Sequence, residues 1–173
     1  MESERLIYRA YVPEDFNALH SLLNEEARHK WFYFQEPDCL TEEFAHRVIR
    51  ENMAVWSRPV NILQDHCGFG IAIKETGELI GNVDLIKCRG DEILDHVNIG
   101  YQIGEKYHEK GYATEAVKAA VRWGFDRLEE LDAEKKIAGD VEHENWASRK
   151  VLEKAGFTFA EAKQYVSVYT IAK

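Results

Sequence analysis

The sequence predicts an α+β fold in which a mixed sheet carries helices on its faces. Two stretches carry that prediction. Runs near Gly68 to Lys74 and Leu79 to Lys87 are rich in strand formers and joined by the Thr76-Gly77 turn, the mark of antiparallel neighbours. Farther along, a period-two run, a long helical stripe and another strand succeed one another as a strand-helix-strand unit.

Taken in order, a first strand is expected near Arg5 to Val12 and a helix from about Glu14 to Asn24. Thr41 is the N-cap of a second helix running from Glu42 to Trp56. After the two antiparallel strands, Val97, Ile99, Tyr101 and Ile103 fall at period two, so this strand packs one face. The long helix follows, with Ala113, Ala116, Val117, Ala120, Val121, Gly124, Phe125, Leu128 and Leu131 at three- and four-residue steps and Lys118, Arg122, Asp126 and Glu129 outside. A strand from Lys136 to Glu142 comes next. Asn145 then caps a short helix whose apolar side is Val151, Leu152 and Ala155. Gly156 stands where a left-handed C′ residue belongs, and Phe157 folds back on Leu152. Two closing strands are expected around Phe159 and from Tyr165 to Ile171.

The 173 residues are the size of one domain, 1–173, with enough apolar residues for a real core. A formal charge of -9 argues against a nucleic-acid surface and suits a cationic partner. Cys39, Cys67 and Cys88 are odd in number, far apart and without a C-x-x-C pair, so neither a disulfide framework nor a zinc site is expected. The histidines lack metal-ligand spacing, and no metal is assigned. No apolar run reaches the length of a signal core or a membrane span. These features read as a soluble, cytoplasmic protein that acts away from membranes.

The chemistry is concentrated between the Val97 strand and the long helix, in Tyr107-His108-Glu109-Lys110-Gly111-Tyr112-Ala113-Thr114-Glu115-Ala116. The first turn of a helix leaves backbone N–H groups unpaired and carries the positive end of the macrodipole, so this junction is an anion cradle. Gly111 lets the backbone turn and approach closely, Ala113 keeps the surface low, and Thr114 adds a hydroxyl donor. A Walker loop is excluded because Lys110 precedes Gly111 and Gly104 lies too far back. A dinucleotide fingerprint is excluded because Gly68-Phe69-Gly70 runs into the strand residues Ile71-Ala72-Ile73.

His108-Glu109-Lys110-Gly111-Tyr112-Ala113 resembles the pyrophosphate loop of the GNAT superfamily of N-acetyltransferases, Q/R-x-x-G-x-G/A, with histidine at the first position. A second block, Asn145-Trp146-Ala147-Ser148-Arg149-Lys150-Val151-Leu152-Glu153-Lys154-Ala155-Gly156-Phe157, is similar to the superfamily's N-x-A-S-x-x-V-L-E-K-x-G-F. The opening, Glu4-Arg5-Leu6-Ile7-Tyr8-Arg9 followed by Pro13-Glu14-Asp15-Phe16, resembles the ribosomal-protein (Rim-type) branch. The resemblance spans nearly the whole chain.

It implies a mostly antiparallel sheet with helices on both faces, in which the strand before the loop and the strand after the long helix run parallel and splay apart. It implies acetyl transfer from acetyl-CoA to a primary amine, a protein N-terminus or a small molecule, by direct attack in a ternary complex. The alternative is a non-catalytic sensor of CoA or acyl-CoA. The cofactor residues carried over are Tyr101, Gln102 and Ile103, where the pantetheine arm pairs as an added half-strand, with an oxyanion donor near Ile103. They continue through His108, Glu109, Lys110, Gly111, Tyr112, Ala113 and Thr114 to Asn145 and Ser148. Family members are frequently monomers or dimers.

Two proton-handling roles remain. In many relatives a glutamate precedes the I-G-Y of the strand, but here that position is Asn98, which cannot accept a proton and is assigned to the acceptor side. His96 shares its strand face, and histidine is the side chain suited to base chemistry at neutral pH, so it is the expected base, with Asp84, Glu142 and Glu144 as alternatives. Ser148 matches a serine that protonates the thiolate in some Rim-type enzymes; Tyr165 and Tyr169 compete for that role. Trp31 and Tyr33, in the aromatic stretch between the first two helices, are the acceptor-pocket candidates, with helix packing as their alternative use.

Overall fold

Seven strands and four helices alternate as the sequence predicts, in a computed structural model that describes residues 1–26, 41–89 and 92–173, and only the backbone of residues 26, 88, 89 and 92–95. The strands are β1 (Leu6–Arg9), β2 (Cys67–Ile73), β3 (Leu79–Arg89), β4 (Glu92–Ile103), β5 (Lys136–Glu142), β6 (Thr158–Ala162) and β7 (Val166–Ala172). The helices are α1 (Phe16–Glu26), α2 (Glu42–Trp56), α3 (Tyr112–Glu130) and α4 (Trp146–Ala155). One sheet runs β1-β2-β3-β4-β5-β7-β6. Every neighbouring pair is antiparallel except β4 and β5.

That parallel pair shares only two register positions, Val97 with Ile137 and Asn98 with Ala138. Beyond them the ladder ends, and Ile99 to Ile103 part from the second half of β5. The fork expected at the centre of the sheet is therefore present.

Alternation along the strands sends Leu85, Ile99 and Ile137 to the face covered by α3 and α4. The approach there is close, because a Cβ on Gly124 of α3 would stand 2.9 Å from Ile137 Cδ1 and 3.1 Å from Leu85 Cδ1. The opposite face is tied to α1 and α2. Gln102 Nε2 donates to the Leu22 carbonyl at 2.8 Å, and Asn52 donates to the Gly68 carbonyl at 2.8 Å while accepting from Tyr11 N–H at 2.9 Å. The larger core joins Leu6, Val83, Leu85, Val117, Leu128, Ile137 and Leu152 under α3 and α4; a smaller one joins Leu19, Leu22, Ala45, Ile49 and Leu79. Each large side chain so buried contributes about 2 kcal/mol. The buried stripe of α3 therefore holds its N-terminus in place without a capping side chain.

The boundaries differ from expectation where polar side chains redirect the backbone. β1 ends at Arg9 rather than Val12, since Tyr11 N–H turns to Asn52 and Val12 N–H to the Asp15 carboxylate. Asp15, paired with Arg9 at 2.6 Å, closes a 3-10 turn over Pro13–Asp15, so α1 begins at Phe16 instead of Glu14. β4 starts five residues before Val97, where Glu92, Asp95 and His96 interrupt the apolar alternation. Thr41 caps α2 as expected, its hydroxyl accepting from Phe44 N–H at 3.1 Å. Among the described residues no helix is long and apolar enough to cross a membrane.

Candidate active site

Where β4 and β5 part, a cleft of about 920 Å³ opens between the end of β4, the first turn of α3, one side of α4 and Glu25 at the end of α1. The loop between β4 and α3 forms its floor. Gly111 is left-handed at φ 81° and ψ 4°, and Glu109 is also left-handed at φ 61°. A glycine at the N-cap has no side chain to offer, so the N–H groups of Tyr112, Ala113 and Thr114, all lining the cleft, are left for an incoming anion.

The loop is braced from two directions. His108 Nε2–H donates to the Ile103 carbonyl at 2.7 Å, fastening the loop to the strand it follows. Arg5 Nη1 donates to the Lys110 carbonyl at 2.9 Å, while its Nε and Nη2 reach Glu115 at 2.8 and 2.7 Å. The other Glu115 oxygen accepts from Arg5 N–H at 2.8 Å and Ser3 Oγ at 2.7 Å. Desolvation pushes the Glu115 carboxyl up, but the Arg5 backbone, Ser3 and the Arg5 side chain together hold it below its ordinary value.

On the strand side, Tyr101, Gln102 and Ile103 face the cleft. Gln102 Oε1 is buried, on the α1 side of the strand, and has no hydrogen-bond partner among the described residues. Tyr101 Oη donates to the Ser148 carbonyl at 3.0 Å and lies 2.7 Å from Ser148 Oγ. A carbonyl only accepts, so with the tyrosine proton spent there the serine hydroxyl donates to Tyr101. Burial pushes the Tyr101 hydroxyl up to about 12, against the opposing hydrogen bond from Ser148.

Asn145 caps α4, its Oδ1 accepting from Ser148 N–H at 3.1 Å, and lines the cleft as well. Gly156 is left-handed at φ 103°, and Phe157 N–H returns to the Leu152 carbonyl at 3.0 Å, as the sequence predicts.

The cleft thus gathers Tyr101, Gln102, Ile103, His108, Glu109, Gly111, Tyr112, Ala113, Thr114, Asn145 and Ser148. Lys110 is not brought to its wall: Nζ turns back to the Lys106 carbonyl at 3.1 Å and over the Tyr107 ring. His96 is likewise kept apart. It stands one residue before the first β4–β5 pair, on the closed side of the fork, with Nδ1 3.9 Å from Glu134 Oε2. Asn98 occupies the last pair before the fork and is buried. Tyr165 is exposed and bonded to Gln164, and Tyr169 is buried against Phe159, 3.5 Å from Glu153 Oε1; neither lines the cleft. Glu142 and Glu144 do not line it either. Asp84 pairs with His66 on the sheet face opposite α3. Trp31 and Tyr33 lie outside the described residues.

Sequence reasoning missed Glu25 and Glu105, and one side of α4 formed by Ala147, Lys150, Val151 and Lys154. The α4 set repeats at three- and four-residue steps from Ala147, and that spacing was the available signal. Lys150 and Lys154 put two cations on the cleft wall. Among the described residues no group of three or more metal-ligating side chains stands together.

The family model described as Acetyltransferase (GNAT) domain matches residues 5–158. The N-acetyltransferase p20 of Bacillus licheniformis is 38% identical over 93 residues, 51% of this chain and 47% of that protein, so the chain spans about half of that relative's length. The ribosomal-protein-S5-alanine acetyltransferase of Vibrio fischeri superposes with a TM-score of 0.75 at 19% identity, covering 99% of this chain and 95% of the other. RimL, a ribosomal L7/L12 α-N-protein acetyltransferase solved in complex with coenzyme A, superposes with a TM-score of 0.71 at 17% identity, covering 98% and 95%. These two likenesses show a shared fold.

Proposed function

This chain belongs to the GNAT acetyltransferase family, and from that premise we propose that it transfers an acetyl group from acetyl-CoA to a primary amine by direct attack in a ternary complex. The observation that carries the reading is the uncapped N-terminus of α3, opening on the cleft directly after a left-handed Gly111. Such an end binds a pyrophosphate with backbone N–H groups alone. Lys150 and Lys154 on the cleft wall add charge of the sign the cofactor's phosphates require.

The pantetheine arm lies along Tyr101 to Ile103, where β4 has lost its β5 neighbour and offers backbone groups to an added half-strand. The acetyl group then rests at the fork, with a backbone N–H of the freed β4 edge facing the developing oxyanion. Ser148, its hydroxyl turning from Tyr101 to the sulfur, gives the departing thiolate its proton. Tyr101, protonated throughout the neutral range, hands its own hydrogen bond to the Ser148 carbonyl and keeps the serine hydroxyl oriented. The acceptor amine comes from the other side of the sheet, and the overall charge of -9 favours a cationic one.

Calorimetric titration with coenzyme A, followed by acetyl-CoA turnover on spermidine and on peptides with free N-termini, tests the reading. Binding with turnover is the expected result. Binding without turnover would leave a CoA sensor, and no binding would overturn the loop assignment.

A further inference from the structure

On the sheet face away from α3, Asp84 of β3 stands between two glycines that are its register partners, Gly68 on β2 and Gly100 on β4. Each glycine leaves a different space. A Cβ on Gly68 would come within 2.6 Å of Asp84 Oδ1, so the carboxylate occupies room that only glycine provides. A Cβ on Gly100 would meet nothing within 4 Å. The carboxylate is therefore seated on one side and opens on the other toward the strand next to the fork.

Asp84 is also held. His66 Nε2 lies 3.0 Å from Asp84 Oδ1, the imidazole largely exposed and the carboxylate 29% exposed. Against the desolvation that pulls it down, Asp84 and the more distant Glu51 of α2 raise the His66 pKa above its ordinary value. Gly100 precedes Tyr101, the first strand residue in the cofactor cleft, and neighbouring strands lie about 4.8 Å apart. An amine over Gly100 thus reaches both the acetyl carbon at the fork and the Asp84 carboxylate.

We infer that Asp84 is the carboxylate that docks the acceptor's ammonium group and takes its proton, with His66 as its positioning partner. The inference rests on the acetyl-transfer reading above. One N–H proton of the ammonium passes to Asp84 and leaves to solvent beside the exposed His66. The freed nitrogen pair bonds to the acetyl carbonyl carbon, and the C–S bond breaks as the adduct collapses. The second N–H proton leaves nitrogen as the adduct collapses and passes through solvent to Ser148, replacing the one the thiolate took. No metal or oxidant is needed.

The test pairs coenzyme A calorimetry with steady-state turnover, using whichever of spermidine or an N-terminal heptapeptide the wild-type protein acetylates better. Asp84→Asn is expected to keep the coenzyme A Kd while kcat falls about 100-fold, the scale of a lost general base. Gly100→Val fills open space in a strand; it is expected to raise the acceptor KM about tenfold without moving the Kd. His66→Ala is expected to lower kcat, and His66→Gln, which retains an N–H donor, to restore part of it. Wild-type kcat in Asp84→Asn, or an unchanged acceptor KM in Gly100→Val, overturns the inference while leaving acetyl transfer standing. Coenzyme A binding with no turnover on either probe overturns both.

Discussion

Replacing Glu115 by Gln tests whether the N-terminal strand is what holds the anion loop. The Glu115 carboxylate accepts from Arg5 N–H, Arg5 Nε, Arg5 Nη2 and Ser3 Oγ at 2.7 to 2.8 Å, and is itself only 14% exposed. Glutamine keeps one acceptor oxygen but turns an NH2 toward donors. A charge-assisted hydrogen bond contributes about 1.5–3 kcal/mol. Arg5, however, is 43% exposed, so solvent screens the ion-pair part to below about 1 kcal/mol. The net expectation is about 2 kcal/mol, or about 4–8 °C in Tm for a domain of this size. Because folding lowers the Glu115 pKa below 4.5, the contribution is complete above that pH and is lost as pH falls through the folded-state value. Thermal scans from pH 8 to pH 3 should show a steady gap between wild type and variant that closes at the acid end. Arg5 also fixes the Lys110 carbonyl, so the coenzyme A Kd should rise about three- to tenfold, up to about 1.4 kcal/mol. Equal Tm values at pH 7, or a gap that persists undiminished at pH 3, would refute the reasoning.

Gly111→Ala has room, its Cβ 3.5 Å from Arg5 Nη2, but forces a left-handed residue at a cost of about 1–2 kcal/mol, readable as a lower Tm. Gly111→Trp should in addition abolish coenzyme A binding by calorimetry. Ser148→Ala is expected to lower kcat about tenfold or more with the coenzyme A Kd little changed, and Tyr101→Phe to lower it less, since only the orientation of the serine is lost. Equal kcat in Ser148→Ala and wild type would remove the serine from the mechanism. Asn98→Glu puts a carboxyl where only 7% is exposed, which raises its folded pKa; destabilisation should therefore grow as pH rises above about 4.5, and a Tm deficit independent of pH would show that the new side chain escapes to water.

The elements most legible in the sequence are those set by local chemistry. Thr41 and Asn145 act as caps through their own side-chain oxygens, Gly156 as a left-handed stop, and the α3 stripe as a buried face. The loop was legible because Gly111 stands between a period-two strand run and a helical stripe, with the Asn145 block downstream. What escaped depends on partners distant in the chain. The strand pattern runs on past Arg9 without a mark; Asn52, 41 residues beyond Tyr11, helps end β1 by taking the Tyr11 N–H. Tyr101 and Ser148 meet across 47 residues, and nothing in either block marks the other as a partner. His96 read as a base because strand periodicity gives a face but not a height, and the fork opens only after Asn98.

That distinction between face and height explains how one short strand can serve two molecules. At Val97 and Asn98, β4 is paired with β5 and closed on that side; from Gly100 onward it keeps β3 but has lost β5. Tyr101 then points to the α3 and α4 side, where its hydroxyl joins Ser148, while Gly100 leaves the other side bare next to Asp84. A cofactor and an amine approaching from opposite faces can meet only in the short interval where the sheet is open and no side chain stands between them. Moving the β4–β5 contact by two residues toward Ile103 would keep every side chain named here and close that interval. The length of the parallel ladder, as much as the side chains beside it, is therefore what allows the proposed transfer to occur in this fold.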